Sequence, residues 1–79
     1  MFGNNGRQPQ YKIGDQFELK FSGFWCIWTI KRVGNFINND DGYEYFGELV
    51  INEIQRCIDN NKSFTEYSIS NSMFGLHKI

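Results

Sequence analysis

The sequence predicts a small, mainly β domain of the α+β type. The expected architecture is an antiparallel curled sheet or small barrel, in the order β-β-β-α-β, with one helix near 50–61. Three observations predict it. Apolar and polar residues alternate with period two in several separate segments, as in strands with one wet face. Ser-Gly, Asn and Asp-Gly clusters, the residue types that turn a chain, divide those segments. A single stretch changes to spacings of three and four, which is the period of a helix.

Residues 1–10, MFGNNGRQPQ, are polar and hold the only proline. They read as a flexible leader to a single domain over 11–79. Order begins near YKIGDQFELKF, where Phe17, Leu19 and Phe21 alternate with Glu18 and Lys20 as a first strand. Ser22-Gly23 is the turn. In the second strand, FWCIWTIKRV, residues Phe24, Cys26, Trp28 and Ile30 share one face, and Trp25, Ile27, Thr29 and Lys31 share the other. GNFINNDDG, Gly34 to Gly42, reads as a loop. Phe36 and Ile37 either extend the second strand or form an apolar tip. YEYFGEL gives a third strand, with Tyr43 and Tyr45 opposite Glu44 and Phe46. In VINEIQRCIDNNK, the residues Val50, Ile51, Ile54, Cys57 and Ile58 form one helical stripe, which stops near Asn60-Asn61. FTEYSIS returns to alternation as a fourth strand. The apolar tail (Met73, Phe74, Leu76, Ile79) adds an edge strand or crosses to another subunit.

A chain of 79 residues is one domain with a thin margin of stability. Aromatics are 18% of it, including both tryptophans, in the run FWCIWTI. So much aromatic area implies a dense core, or a core plus a contact surface in a homo-oligomer or with a partner. The net charge of −1 and pI near 5.7 lack the electrostatic footprint of a general nucleic-acid binder. Cys26 and Cys57 are too few for a disulfide scaffold and fit no zinc spacing. They read as reduced thiols, with a bridge between them as the alternative. No secretory or membrane-spanning run is present, so a soluble cytoplasmic protein without a membrane partner is expected.

Catalytic constellations are thin. His77, the only histidine, sits in the tail, and Asp40-Asp41 is ordinary turn chemistry beside a glycine. No phosphate loop, dinucleotide fingerprint or metal motif occurs. No enzymatic activity, catalytic residue, metal or cofactor is therefore expected. Contact residues are a different matter. Alternation assigns Trp28 to the core and leaves Trp25 either under the predicted helix or on an outward patch. Lys31-Arg32, with Lys12 and Lys20 on the neighbouring strand, either converge beside Trp25 to hold a base and phosphate or stay solvated. The candidate partner- or ligand-binding set is Trp25, Ile27, Lys31, Arg32, Phe36, Tyr43 and Tyr45.

The succession YKIGDQFEL, WCIWTI, YEYF and INEIQRCIDNN, over Tyr11 to Ser70, resembles small SH3-like barrel domains of phages and mobile elements. That resemblance implies roles as adaptors, nucleic-acid binders, virion parts or inhibitors. With nine asparagines and a small size, it points to a phage-type protein in the cytoplasm of a host bacterium. The expected function is non-catalytic binding by protein–protein contact, in the concrete form of an anti-CRISPR-like inhibitor of a host defence protein. One alternative is a homo-oligomer sequestering a signalling nucleotide, stacked on Trp25 or Tyr43 with phosphates at Lys31 and Arg32. Another is a nucleic-acid-binding or virion module.

Overall fold

The structure is a computed structural model and describes residues 7–79. Five antiparallel strands form one sheet: β1 (Gln16–Phe21), β2 (Phe24–Asn38), β3 (Gly42–Ile51), β4 (Arg56–Thr65) and β5 (His77–Lys78). Their spatial order is β4-β3-β2-β1-β5. A short helix, α1 (Glu66–Ser70), and a 3-10 turn over Met73–Gly75 precede β5. The mainly β, antiparallel fold class read from the alternation is the one present.

The first hairpin follows its turn chemistry. Ser22 and Gly23 both take positive φ, 51° and 84°, in a two-residue loop whose twist suits the flanking strands. The register then stacks Leu19 against Cys26 and Phe17 against Trp28 in one apolar row. β2 runs on to Asn38, so Phe36 and Ile37 extend the strand. The loop expected over Gly34 to Gly42 is reduced to a turn at 39–41. Register shifts on either side of Phe36 absorb the extra residues as bulges, and its ring packs edge-on against Tyr43 at 5.4 Å.

Two expected elements are corrected. There is no helix near 50–61, and the order is β-β-β-β-α-β. Ile51 ends β3, residues 52–55 turn, and β4 returns along β3 with Ile51 opposite Arg56. The helical spacing of Val50, Ile51, Ile54, Cys57 and Ile58 arises from a strand end, a turn and a bulged strand, and Ile54, Cys57 and Ile58 are exposed. A lone twelve-residue helix rich in β-branched residues, Asn and Asp is marginal, whereas ladder pairing to β3 satisfies the whole backbone. The fourth strand expected over FTEYSIS ends at Thr65. There the Thr65 side chain accepts the Ser68 N–H at 3.2 Å and caps α1, which buries Glu66 and Ile69.

One face of the sheet carries the core: Phe17, Leu19, Cys26, Trp28, Ile30, Tyr45, Leu49 and Phe64, closed by Ile69 and Leu76. Gly47 makes room for its largest member. A Cβ there would overlap the Thr29 carbonyl and lie 2.8 Å from Trp28 Nε1. The indole crosses this gap and donates to the Lys62 carbonyl at 3.0 Å.

Of the leader expected over 1–10, residues 1–6 lie outside the described residues. Arg7 and Gln10 are tied to the core side. Arg7 Nη2 lies 2.9 Å from Glu66 Oε1, and the Gln10 N–H donates to Oε2 at 3.0 Å. Tyr11 follows, its ring edge-on to Phe17 and Tyr45. The segment then enters β1 through a turn locked by Asp15, whose carboxylate accepts from the Lys12 N–H and Nζ, both at 3.0 Å.

The Lys12 backbone N–H, more than its ammonium, holds the Asp15 carboxyl below its ordinary value of 3.8 against the opposing effect of burial. A carboxylate depressed on folding stabilises above the unfolded pKa, and that contribution fades as pH falls through the lower folded value. Asp15→Asn is therefore expected to be less stable than the parent at pH 7. The gap should close as pH drops below 3.8, as read by urea denaturation at a series of pH values. A gap that stays constant over that range contradicts the assignment.

Candidate functional site: the uncovered sheet face

The face opposite the core is built by the same alternation. Register lines up Glu18, Ile27, Val50 and Cys57 across β1 to β4, with Gln16, Thr29 and Glu48 in the next row and Lys20 opposite Trp25 beyond. α1 packs on the other side, where Ile69 and Leu76 join the core. The chain therefore places no helix over Trp25. That side chain stays 47% exposed, while Trp28 is fully buried.

The cations on this face do not converge. Lys20 Nζ lies 5.9 Å from the Trp25 ring centre, a cation–π contact across the hairpin. A bulge between Ile30 and Arg32 re-aims the strand, so that Arg32 pairs with Phe46 and its guanidinium lies 4.0 Å over that ring. Trp25 and Arg32 are seven residues apart in one strand, roughly 20 Å at about 3.3 Å per residue. Lys12 is occupied with Asp15. One molecule thus has a Trp25–Lys20 pair and a distant Arg32–Phe46 pair, with Lys31 exposed at the bulge between. A single nucleotide cannot stack on Trp25 and reach the Arg32 guanidinium of the same chain.

Three further members of the predicted set lie on the core side. Tyr45 is fully buried and donates to Glu66 Oε2. Burial, reinforced by that hydrogen bond, pushes its phenol well above the usual tyrosine range. Tyr43 is buried and donates to the Arg7 carbonyl at 2.8 Å. Phe36 packs at the core margin, beneath the Arg7 guanidinium at 5.6 Å. These three pack on the core side of the sheet, away from Trp25. Of the predicted set, the open face keeps Trp25, Ile27 and Arg32.

Phe46 and Val50 were missed as members of this face. Alternation in YEYFGEL carried the signal for Phe46, but Val50 had been drawn into the supposed helical stripe. Beside them a shallow hollow of 420 Å³ is lined by Ile27, Thr29, Glu48, Val50, Asn52 and Ile79 among others. His77 is exposed on β5, opposite Glu18, and Asp40 sits exposed in the β2–β3 turn. Cys26 and Cys57 are both free thiols, and burial raises the pKa of Cys26. Among the described residues no group of His, Cys, Asp or Glu is arranged to hold a metal ion, and no helix is long and apolar enough to cross a membrane.

No protein-family model matches the chain, and no solved structure matches it. Transportin of Dictyostelium discoideum is 40% identical to it over 43 residues, a stretch covering 54% of this chain and 5% of Transportin. The chain spans only that small fraction of the relative, and the likeness transfers no activity.

Proposed function

We propose that this domain is a non-catalytic binding protein that meets a partner protein through the open sheet face around Trp25. The observation that carries the reading is the open face itself: a half-exposed Trp25 on the same side of the sheet as Ile27 and Val50, with no helix of the chain packed over it. Tryptophan supplies a large rigid contact area at low entropic cost, and exposed Trp, Tyr and Arg are the usual interface anchors. The mixed rim of Lys20, Glu18, Glu48 and Arg32 suits a protein surface better than a nucleic-acid backbone, which asks for one sign of charge. An inhibitor covering the working surface of a host defence protein is one form of this function. A meander whose β5 returns to β1 after a short helix supports kinship with small SH3-like barrels.

The test is a paired capture and stability experiment. Trp25→Ala is expected to keep the parent's melting temperature within a few degrees, because the ring is half solvated already. Binding of a protein co-purified with the parent should weaken at least tenfold, since hot-spot truncation costs about 2 kcal/mol or more. Equal affinity of parent and variant for that protein rejects the reading.

A further inference from the structure

The sheet curls but does not close. β1 pairs with β5 only at Phe17 and Glu18, so residues 19–21 have no neighbour on that side. β4 is the opposite end of the sheet and has no outer partner. These two free edges border one groove of 450 Å³, lined by Leu19, Lys20, Phe21 and Ser22 of the first hairpin and by Lys62, Ser63, Phe64 and Thr65 of β4. In such an edge every second residue turns its N–H and C=O outward, a template for another strand.

The two halves of β4 differ in the regularity of their ladder with β3. Register shifts lie between Lys62 and Asp59 and between Asp59 and Cys57, bulges that break the ladder over the first half of β4. From Lys62 to Thr65 the pairing with β3 runs without interruption. The groove is also furnished with recognition chemistry. Phe21, Phe64 and Phe74 line it, the latter two with ring centres 5.6 Å apart. Phe74 is 63% exposed and takes φ 59°, a backbone region that bulky residues avoid. Lys62 Nζ lies 5.3 Å from the Phe21 ring and 5.4 Å from the Phe64 ring, and no carboxylate among the described residues pairs with it. Glu44 is the one carboxylate lining the groove and forms no ion pair with Lys62, so a cation held over apolar rings remains complementary to an acidic side chain flanked by apolar ones.

We infer that this groove is a strand-addition site for an extended segment of a partner protein. The segment pairs with Lys62–Thr65, seats an apolar side chain against Phe64 and Phe74, and places a carboxylate on Lys62. It is a second contact surface, which meets the Trp25 face at Lys20.

The experiment is an NMR titration of the isotope-labelled full chain with a capped octapeptide of alternating valine and glutamate. Saturable amide shifts are expected, confined to residues 19–22 and 62–65. Lys62→Gln and Phe74→Ser should each weaken binding about fivefold or more. Neither should unfold the domain, since β4 uses the Lys62 carbonyl and Phe74 is largely exposed. The same octapeptide with alternate backbone nitrogens methylated should lose binding, and Trp25→Ala should leave it unchanged. Absence of saturable shifts overturns the inference, as do shifts mapping to the Trp25 face or undiminished binding of the methylated peptide. Equal shifts from octanoate would show a site for apolar carboxylates and not for strands. A dimer that fills the groove before peptide is added would assign it to a second copy of this chain. Either of these results also overturns the inference.

Discussion

Trp28→Ala is expected to lower stability by about 4 kcal/mol, the middle of the range for truncating a buried large aromatic. The site has no way to collapse. Trp28 is fully buried, meets Phe64 edge-on at 4.8 Å, and lies 5.7 Å from the Phe17 ring. Its indole occupies the space over Gly47, where only main chain remains to fill the void. Loss of the N–H also strips the Lys62 carbonyl of the donor it has at 3.0 Å. Against a total of roughly 4–12 kcal/mol for a domain of this length, at about 0.05–0.15 kcal/mol per residue, the loss brings the protein close to unfolding at 25 °C. Melting followed by circular dichroism should show a fall of about 15–30 °C. Trp25→Ala in the same assay should shift little. Comparable losses from both substitutions would contradict the division of the two tryptophans between core and surface.

Glu66→Ala is expected to cost about 3 kcal/mol, through polar groups and not through packing. Glu66 is 2% exposed, and its carboxylate gathers the Tyr45 hydroxyl, the Arg7 guanidinium and the Gln10 N–H. Arg7 is partly exposed and can turn to water, which limits the penalty on its side of the pair. Tyr45 is buried, and its hydroxyl has no comparable escape. A buried donor left unmade costs about 1–3 kcal/mol. The substitution also removes the tether of residues 7–10. Amide hydrogen exchange at Gln10 and Tyr11 should therefore rise more than exchange in β2 and β3, whereas a simple packing loss would raise all of them together. Tyr45→Phe should cost less, because Glu66 keeps its other two donors.

The reasons these two side chains differ in legibility are physical. Trp28 could be placed from the sequence because strand alternation is local: Phe24, Cys26, Trp28 and Ile30 continue the face of Phe17, Leu19 and Phe21, and the hairpin turn fixes the register. Glu66 could not. It stands in a run, FTEYSIS, that alternates like a strand. Only Thr65 as a cap, followed at once by an acid, marked the start of a helix there. Its ion-pair partner Arg7 is 59 residues away in sequence, and nothing local announces such a contact. The supposed helix from Val50 was a coincidence of spacing across a strand end and a turn. The same error left Trp25 undecided, since a helix of that length would have needed a sheet face to cover. Once β4 occupies those residues and the short α1 packs on the core side, Trp25 has no cover from its own chain. The contact set shrank for a related reason: Tyr43 and Tyr45 alternate correctly, but toward the core.

The most direct test of that central division is hydrogen exchange of the two indole N–H groups, resolved by NMR and assigned with Trp25→Phe. The Trp28 indole, buried and bonded to the Lys62 carbonyl, should be protected to nearly the extent of the slowest core amides. The Trp25 indole should exchange close to the rate of a free side chain. Strong protection of both indoles in the isolated monomer would mean that the chain covers Trp25 itself, and the open face would no longer be a contact surface.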